Sequence, residues 1–437
     1  MNFKIRVGFS YTLFLCLIGL SLTSSKVNAQ TGMLSPYSAF GVGAEQPYLN
    51  VRNMAMGGIT IGLSGHRNVT PFNPASYKMG VDTMSVMFDI GFNIGVNQLK
   101  QKDANKKTLY NQSTTGGLSN LEFYFPIFKW WKMGIYLLPV TDMDYLSSNY
   151  REGVSQIGKE QLVHKGNGGL SKVGWGNSFG WGPIAFGINL NYQFGRIEEL
   201  VLLNFKKDSL AANAGISNYL KETALNGLVI DVGVLYSQPV KNDRAHFSLG
   251  ASYTIESNMV GRRSALGTAV YSSNVIDTAF YVPRYKGDVK MPATLRTGIS
   301  YEEYGQFLIG FDFTYSWWKN YSDFGKQFDF YRNTYSCALG AELKSNPQAL
   351  SLARRIAYRI GGRYQTYYTA YDGSSLTGFA ISVGVGIPVR RSRSQINIGL
   401  EYGHTGSLRK KQIQEDYVRI GVSFSSVETW FVKRKYD

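Results

Sequence analysis

The sequence predicts an all-β fold: a 14-stranded antiparallel transmembrane β-barrel with an N-terminal hatch, or plug, inside the lumen. Three observations predict it. Segments of about ten residues alternate apolar with polar or glycine residues. The connections between them are long and short in turn. The first residues read as an export signal.

The alternation begins after residue 80. Phe88, Ile90, Phe92, Ile94 and Val96 alternate with Asp89, Gly91, Asn93, Gly95 and Asn97. Ile184 to Phe194, Phe247 to Ile255, Phe379 to Val389 and Ile396 to Tyr402 repeat the pattern. A strand between lipid and a wet lumen needs one apolar and one polar face over about ten residues. The strands of a soluble sandwich are shorter. Fourteen segments qualify, near 81–97, 114–127, 132–146, 168–181, 183–197, 226–239, 245–258, 290–303, 306–319, 332–344, 353–369, 376–390, 394–405 and 414–426.

The odd connections are mostly long: 98–113, 147–167, 198–225, 259–289 and 320–331, with 370–375 and 406–413 shorter. The even ones are short, as at 129–131, Gly182, 240–244, 303–305 and 391–393, and only 345–352 is longer. Long outer loops, short inner turns and both termini in the periplasm give this parity. Asp208 to Leu225 reads as helix-like, and 259–289 as a loop of little periodicity. Trp130, Trp131, Trp175, Trp181, Trp317, Trp318 and Trp430 fall near strand ends, which suits interface girdles; the alternative is a sugar-stacking platform.

Residues 1–29 read as a signal peptide. Lys4 and Arg6 precede an apolar stretch, and Val27-Asn28-Ala29 precedes a plausible cleavage point. Leu15 before Cys16 is too large for the usual lipidation site. Cys337 is then the one cysteine of the mature chain, so no intramolecular disulfide is possible. No later apolar run approaches the roughly 20 residues of a membrane helix. Removing Lys4, Arg6 and Lys26 takes the net charge from +16 to +13. Export argues against nucleic acid as the partner of this charge. Outer-membrane lipids, lipopolysaccharide or an anion-attracting lumen suit it better.

Residues 30–80 do not read as a barrel strand, and 81–437 make up the barrel. Met54-Ala55-Met56-Gly57-Gly58 is followed by Phe72-Asn73-Pro74-Ala75-Ser76. Gly57 and Gly58 permit close packing or positive φ, and Pro74 forces a turn. The segment is too apolar for disorder and fits a plug folded into the lumen from the periplasmic end.

The order of a Met-Gly-Gly element, an Asn-Pro-Ala element and fourteen strands resembles the FadL-like family of outer-membrane transporters for long-chain fatty acids and other hydrophobic compounds. The ending Trp430 to Lys435 is similar to Bacteroidota-type barrels. The resemblance implies a hatch, carrying Gly57, Gly58, Asn73, Pro74 and Ala75, that shifts when ligand binds. It also implies release of ligand through a gap in the wall. Ile59 to Pro71, with His66-Arg67, departs from the Ala-rich stretch of that family. A FadL-like barrel also serves type IX secretion, so a secretion-system protein binding cargo is an alternative function. A general diffusion porin is a second alternative, which an occupied lumen would disfavour.

Asp89, Asp231, Asp312, Glu342 and Glu401 share register with polar, inward positions, as do Arg296, Arg355, Arg359 and Arg363. Arg359 and Arg363 share one strand face. Arg296, Arg359 and Arg363 are candidate ligand-binding groups, because guanidinium holds carboxylate bidentately. The competing reading pairs them with the acidic residues to pin the plug. The four histidines, His66, His164, His246 and His404, are not spaced as metal ligands. No Gly-x-Ser-x-Gly elbow occurs. The sequence therefore calls for no enzyme activity, no metal and no cofactor.

Overall fold

The computed structural model describes residues 35–430, apart from 47–49, 66–67, 103–106, 153–158, 206–215, 241–243, 271–275, 344–350, 372–373, 390–392 and 411. The signal peptide with Cys16, His66-Arg67 and Phe431 to Lys435 lie outside the described residues.

Fourteen antiparallel strands close on themselves. They are β1 Ser85–Lys102, β2 Thr108–Pro126, β3 Trp131–Glu152, β4 Lys159–Trp181, β5 Ile184–Phe205 and β6 Ile216–Val240. β7 has two parts, Ala245–Thr254 and Ser257–Val270, and β8 has two, Ile276–Met291 and Thr294–Glu303. Then come β9 Phe307–Ser316, β10 Thr334–Leu343, β11 Ala357–Tyr371, β12 Ser374–Pro388, β13 Gln395–Thr405 and β14 Gln414–Thr429. Each pairs with its neighbour, and β14 pairs with β1 from Gln414↔Lys100 to Thr429↔Ser85, which closes the ring. Closure satisfies most of the strand backbone at bilayer depth, where no water can do so.

The period-two pattern sets the faces. Phe92, Ile94, Val96, Phe186 and Ile188 are exposed on the outside, while Asn97, Asn189, Asn191 and Asn397 are buried within. Outward tyrosines recur seven or eight residues above the short turns, at Tyr192, Tyr253, Tyr335, Tyr364 and Tyr402. Trp130, Trp181, Tyr236, Tyr304, Tyr358 and Trp430 form the ring at the turns. Eight tilted residues span about 20 Å, close to the height of a barrel's lipid-facing band.

The structure corrects two segment readings. Most of 98–113, 147–167, 198–225 and 259–289 is not loop but strand, because β1 to β8 run on well above the tyrosine ring. Outside the bilayer both faces of a strand meet water, so apolar alternation fades although the hydrogen-bond ladder continues. Ile216 to Leu225, within the helix-like stretch, is thus the start of β6, and 208–215 lies outside the described residues. Arg355 sits in the helical turn Leu352–Arg355, ahead of the strand on which it was expected.

The outward face makes a direct prediction. Ile188→Arg should impair assembly, since a cation at bilayer depth costs roughly 2–4 kcal/mol. Folded barrel counted by heat-modified gel migration checks it, and a normal yield would mean that the faces are assigned wrongly.

Candidate functional site

The site is built by residues 35–46, 50–65 and 68–80 against the inner wall. The short helix Val51–Met54 starts at Asn50, whose side chain accepts from the Asn53 amide at 2.9 Å. Two glycines of positive φ, Gly57 at +70° and Gly58 at +92°, end that turn. A Cβ on Gly57 would stand 2.6 Å from the Gly362 nitrogen, so the chain here lies directly on β11. The Ser382 hydroxyl accepts from the Gly57 amide at 2.9 Å. Further on, the Asp312 carboxylate accepts from the amides of Thr60 and Ile61.

Asn73 is fully buried. Its amide nitrogen donates to the carbonyls of Ile61, at 2.9 Å, and Val234, at 3.2 Å. Its side-chain oxygen accepts from the Ala75 amide at 3.2 Å, which ties the turn that Pro74 begins. Pro74 abuts Gly187 and Gly233, and Ala75 packs with Ala185 and Leu235. The helix Ser76–Gly80 follows, and its Tyr77 hydroxyl donates to Asn189 at 2.8 Å. All these wall contacts lie in the half of the barrel next to the short turns.

Residues 35–46 lie in the other half. The Ser35 amide donates to the Asp144 carbonyl at 2.8 Å, and the Gln46 amide to the Val140 carbonyl at 2.9 Å. Ala44 and Glu45 pair with Asp142 and Thr141 on β3. They can do so because that edge of β3 is open. β2 and β3 pair only from Leu121↔Leu137 to Pro126↔Lys132, although both strands continue upward. The barrel wall is therefore split between β2 and β3 above Leu137.

Between the two halves of the segment lies a cavity of about 200 Å³, with Phe72, Val140, Lys172, Asp231, Arg296 and Trp318 in its lining. The Arg296 guanidinium stands 4.8 Å from the Phe72 ring centre and donates to the Thr254 hydroxyl at 2.9 Å. The Lys172 ammonium lies 5.8 Å from the same ring and 3.9 Å from Asp231. The Trp318 indole stacks on Tyr368 at 4.0 Å and donates to Glu45 at 3.2 Å. Burial pushes the Glu45 carboxyl up, opposed by the nearby Arg296 charge and the Trp318 hydrogen bond. Cation faces on an aromatic ring and an indole on a carboxylate make this cavity amphipathic.

The three arginines separate here. Arg296 lines the cavity. Arg359 is spent on Glu342, at 2.7 Å, and on Asn397, at 2.8 Å. Arg363 reaches the cavity edge while facing Glu401 at 3.4 Å and the Gly57 carbonyl at 3.5 Å. Trp318, read as a girdle residue, is buried in the lumen. Its neighbour Trp317 packs with Tyr253 and Tyr315 of the outer ring. The strand ends at Ser316 and a 3-10 turn begins at Trp318, which carries that side chain inward. Phe72 and Lys172 carried no signal in the sequence, since only the fold brings them beside Arg296.

Solved structures of the same architecture exist. The monoaromatic hydrocarbon channel CymD aligns with a TM-score of 0.53 at 15% identity, over 90% of this chain and 100% of its own. The toluene transporter TodX of Pseudomonas putida aligns with a TM-score of 0.57 at 14% identity, over 89% and 100%. A FadL homologue of Pseudomonas aeruginosa aligns with a TM-score of 0.55 at 13% identity, over 88% and 99%. At such identities the likeness establishes a shared fold, the FadL-type barrel. No curated protein matches the chain in sequence. A family model described as BamG matches residues 13–437, nearly the whole length, and this chain therefore belongs to the BamG family.

Proposed function

We propose that this protein is an outer-membrane channel for small hydrophobic or amphipathic molecules, gated by the N-terminal hatch. One observation carries the reading: the cavity meets the wall at Pro139 and Val140, just above the point where β2 and β3 part. Ala44 and Glu45, on the open edge of β3, are the gate. Sideways exit into lipid suits a ligand with an apolar body, because water offers that body nothing. Arg296 and Lys172 favour a ligand that also carries an anionic group. The lumen filled by residues 50–65 and 68–80 counts against a general porin.

The test is ligand binding. Losing one charged hydrogen bond costs about 1.5–3 kcal/mol, or about tenfold to a hundredfold in affinity. Arg296→Ala should weaken binding of a medium-chain or aromatic carboxylate by that factor and leave its uncharged methyl ester unaffected. Equal loss for both ligands would remove Arg296 from the site, and no binding of either would remove the channel reading.

A second reading is favoured by the hatch contacts themselves. Asp312 and Glu342 hold the hatch to the wall through buried charged contacts, as a fixed plug would require. The barrel then serves as a secretion-system partner and not as a conduit. A disulfide between Thr60→Cys and Asp312→Cys should abolish ligand uptake if the hatch moves, and leave a partner role intact if it does not.

A further inference from the structure

We propose that the outer half of β8 is a docking edge on which an extended, acidic segment of a partner protein adds as a further strand. This inference is independent of the channel reading. Ile276–Met291 pairs along its length with β7. On its other side only Val289 and Lys290 pair, with Asp323 and Ser322. β9, which flanks the lower part of β8, ends at Ser316, opposite Thr294. Ile276 to Asp288 therefore carries an unpaired backbone edge among the described residues. Ile276, Phe280, Tyr281, Val282 and Tyr285 on it are all exposed. This stretch stands above the tyrosine ring, beyond the reach of the bilayer.

Proteins normally cover, shorten or blunt so long an edge, because free N–H and C=O groups recruit strands. Here the blunting is partial. Pro283 and register shifts at Thr278/Phe280 and Val282/Tyr285 divide the edge into short pieces. That favours one short added strand over open-ended stacking.

Charge defines the occupant. Tyr285 and Gly287 face Phe324 on the lumen side, so Arg284 and Lys286 point outward. Arg262 of β7 stands directly opposite Lys286. Like charges in that position repel. None of the three cations has a carboxylate at ion-pair distance among the described residues, and all three are exposed. Carboxylates arriving on an added strand would relieve the repulsion and select the partner. A second copy of this edge would bring the same cations, with only Asp277 and Asp288 to offset them.

The full chain in lipid nanodiscs can be titrated with a fluorescent eight-residue peptide alternating valine and glutamate. Saturable binding is expected, weakened at least tenfold by Arg284→Glu with Lys286→Glu. The same loss is expected on N-methylating alternate peptide amides, which blocks one edge of the peptide. Arg393→Glu, at the short turns, should leave binding unchanged. Four outcomes overturn the proposal: no binding at millimolar peptide, equal binding of the N-methylated peptide, equal binding of a valine–lysine peptide, or a dimer without peptide that the double variant disperses.

Discussion

Glu342→Gln is expected to loosen the hatch and destabilise the barrel by about 3–5 kcal/mol, the usual cost of breaking a buried ion pair from one side. The Glu342 carboxylate sits between two guanidinium groups. Arg359 of β11 donates to it at 2.7 Å, and Arg52 of the lumenal helix Val51–Met54 at 3.1 Å through two nitrogens. The Glu342 and Arg359 side chains are only 4% and 1% exposed, so water cannot take over the lost partner. A neutral amide leaves both cations facing each other in the lumen. Urea unfolding in lipid vesicles reads the loss. Replacing all three, by Glu342→Leu, Arg52→Leu and Arg359→Met, should recover most of the stability, because the three charges that face one another are removed together. A loss under 1 kcal/mol for the single variant would show that the contact does not hold the hatch.

Gly361→Val should open the lumen. A Cβ at Gly361 would lie 2.1 Å from the carbonyl carbon of Met56, a backbone atom that cannot swing aside. The segment Met56 to Gly58 must then leave the wall. Overfilling of this kind costs about 1–3 kcal/mol, enough to shift a hatch while the strand ladder persists. Steady conductance steps in planar bilayers are the expected readout, with an unchanged β-sheet spectrum. The adjacent Gly362 is the control. A Cβ there meets nothing nearer than the Ala380 carbonyl at 3.6 Å, so Gly362→Val should conduct like the unaltered chain. Equal conductance from both variants would mean that contact with the hatch is not what closes the lumen.

One expectation drawn from the pattern alone has to change. The inward face at Asn189 reads as wet, and a wet position tolerates arginine. In the structure Asn189 is fully buried, accepts from Tyr77 and donates to the Pro71 carbonyl at 2.8 Å. Arginine there would displace Pro71 and Tyr77 from the wall.

The sequence by itself determined the strand number, the lipid-facing residues such as Phe92 and Ile188, and the turn at Asn73-Pro74-Ala75. Each follows from a local rule: the bilayer enforces period two over about ten residues, and proline after asparagine, with its fixed φ and missing donor, marks a turn. Only the tertiary structure decided the rest. It extended β1 to β8 above the membrane, where alternation no longer marks a strand. It paired Arg359 with Glu342 while leaving Arg296 beside Phe72 in the cavity. It split β2 from β3 above Leu137 and placed Ala44 and Glu45 on the open edge. Those choices depend on which inward residues meet across the lumen and on where a hydrogen-bond ladder stops. Both are set by strand register and ring closure, between residues tens to hundreds apart in the chain, and no local pattern encodes them.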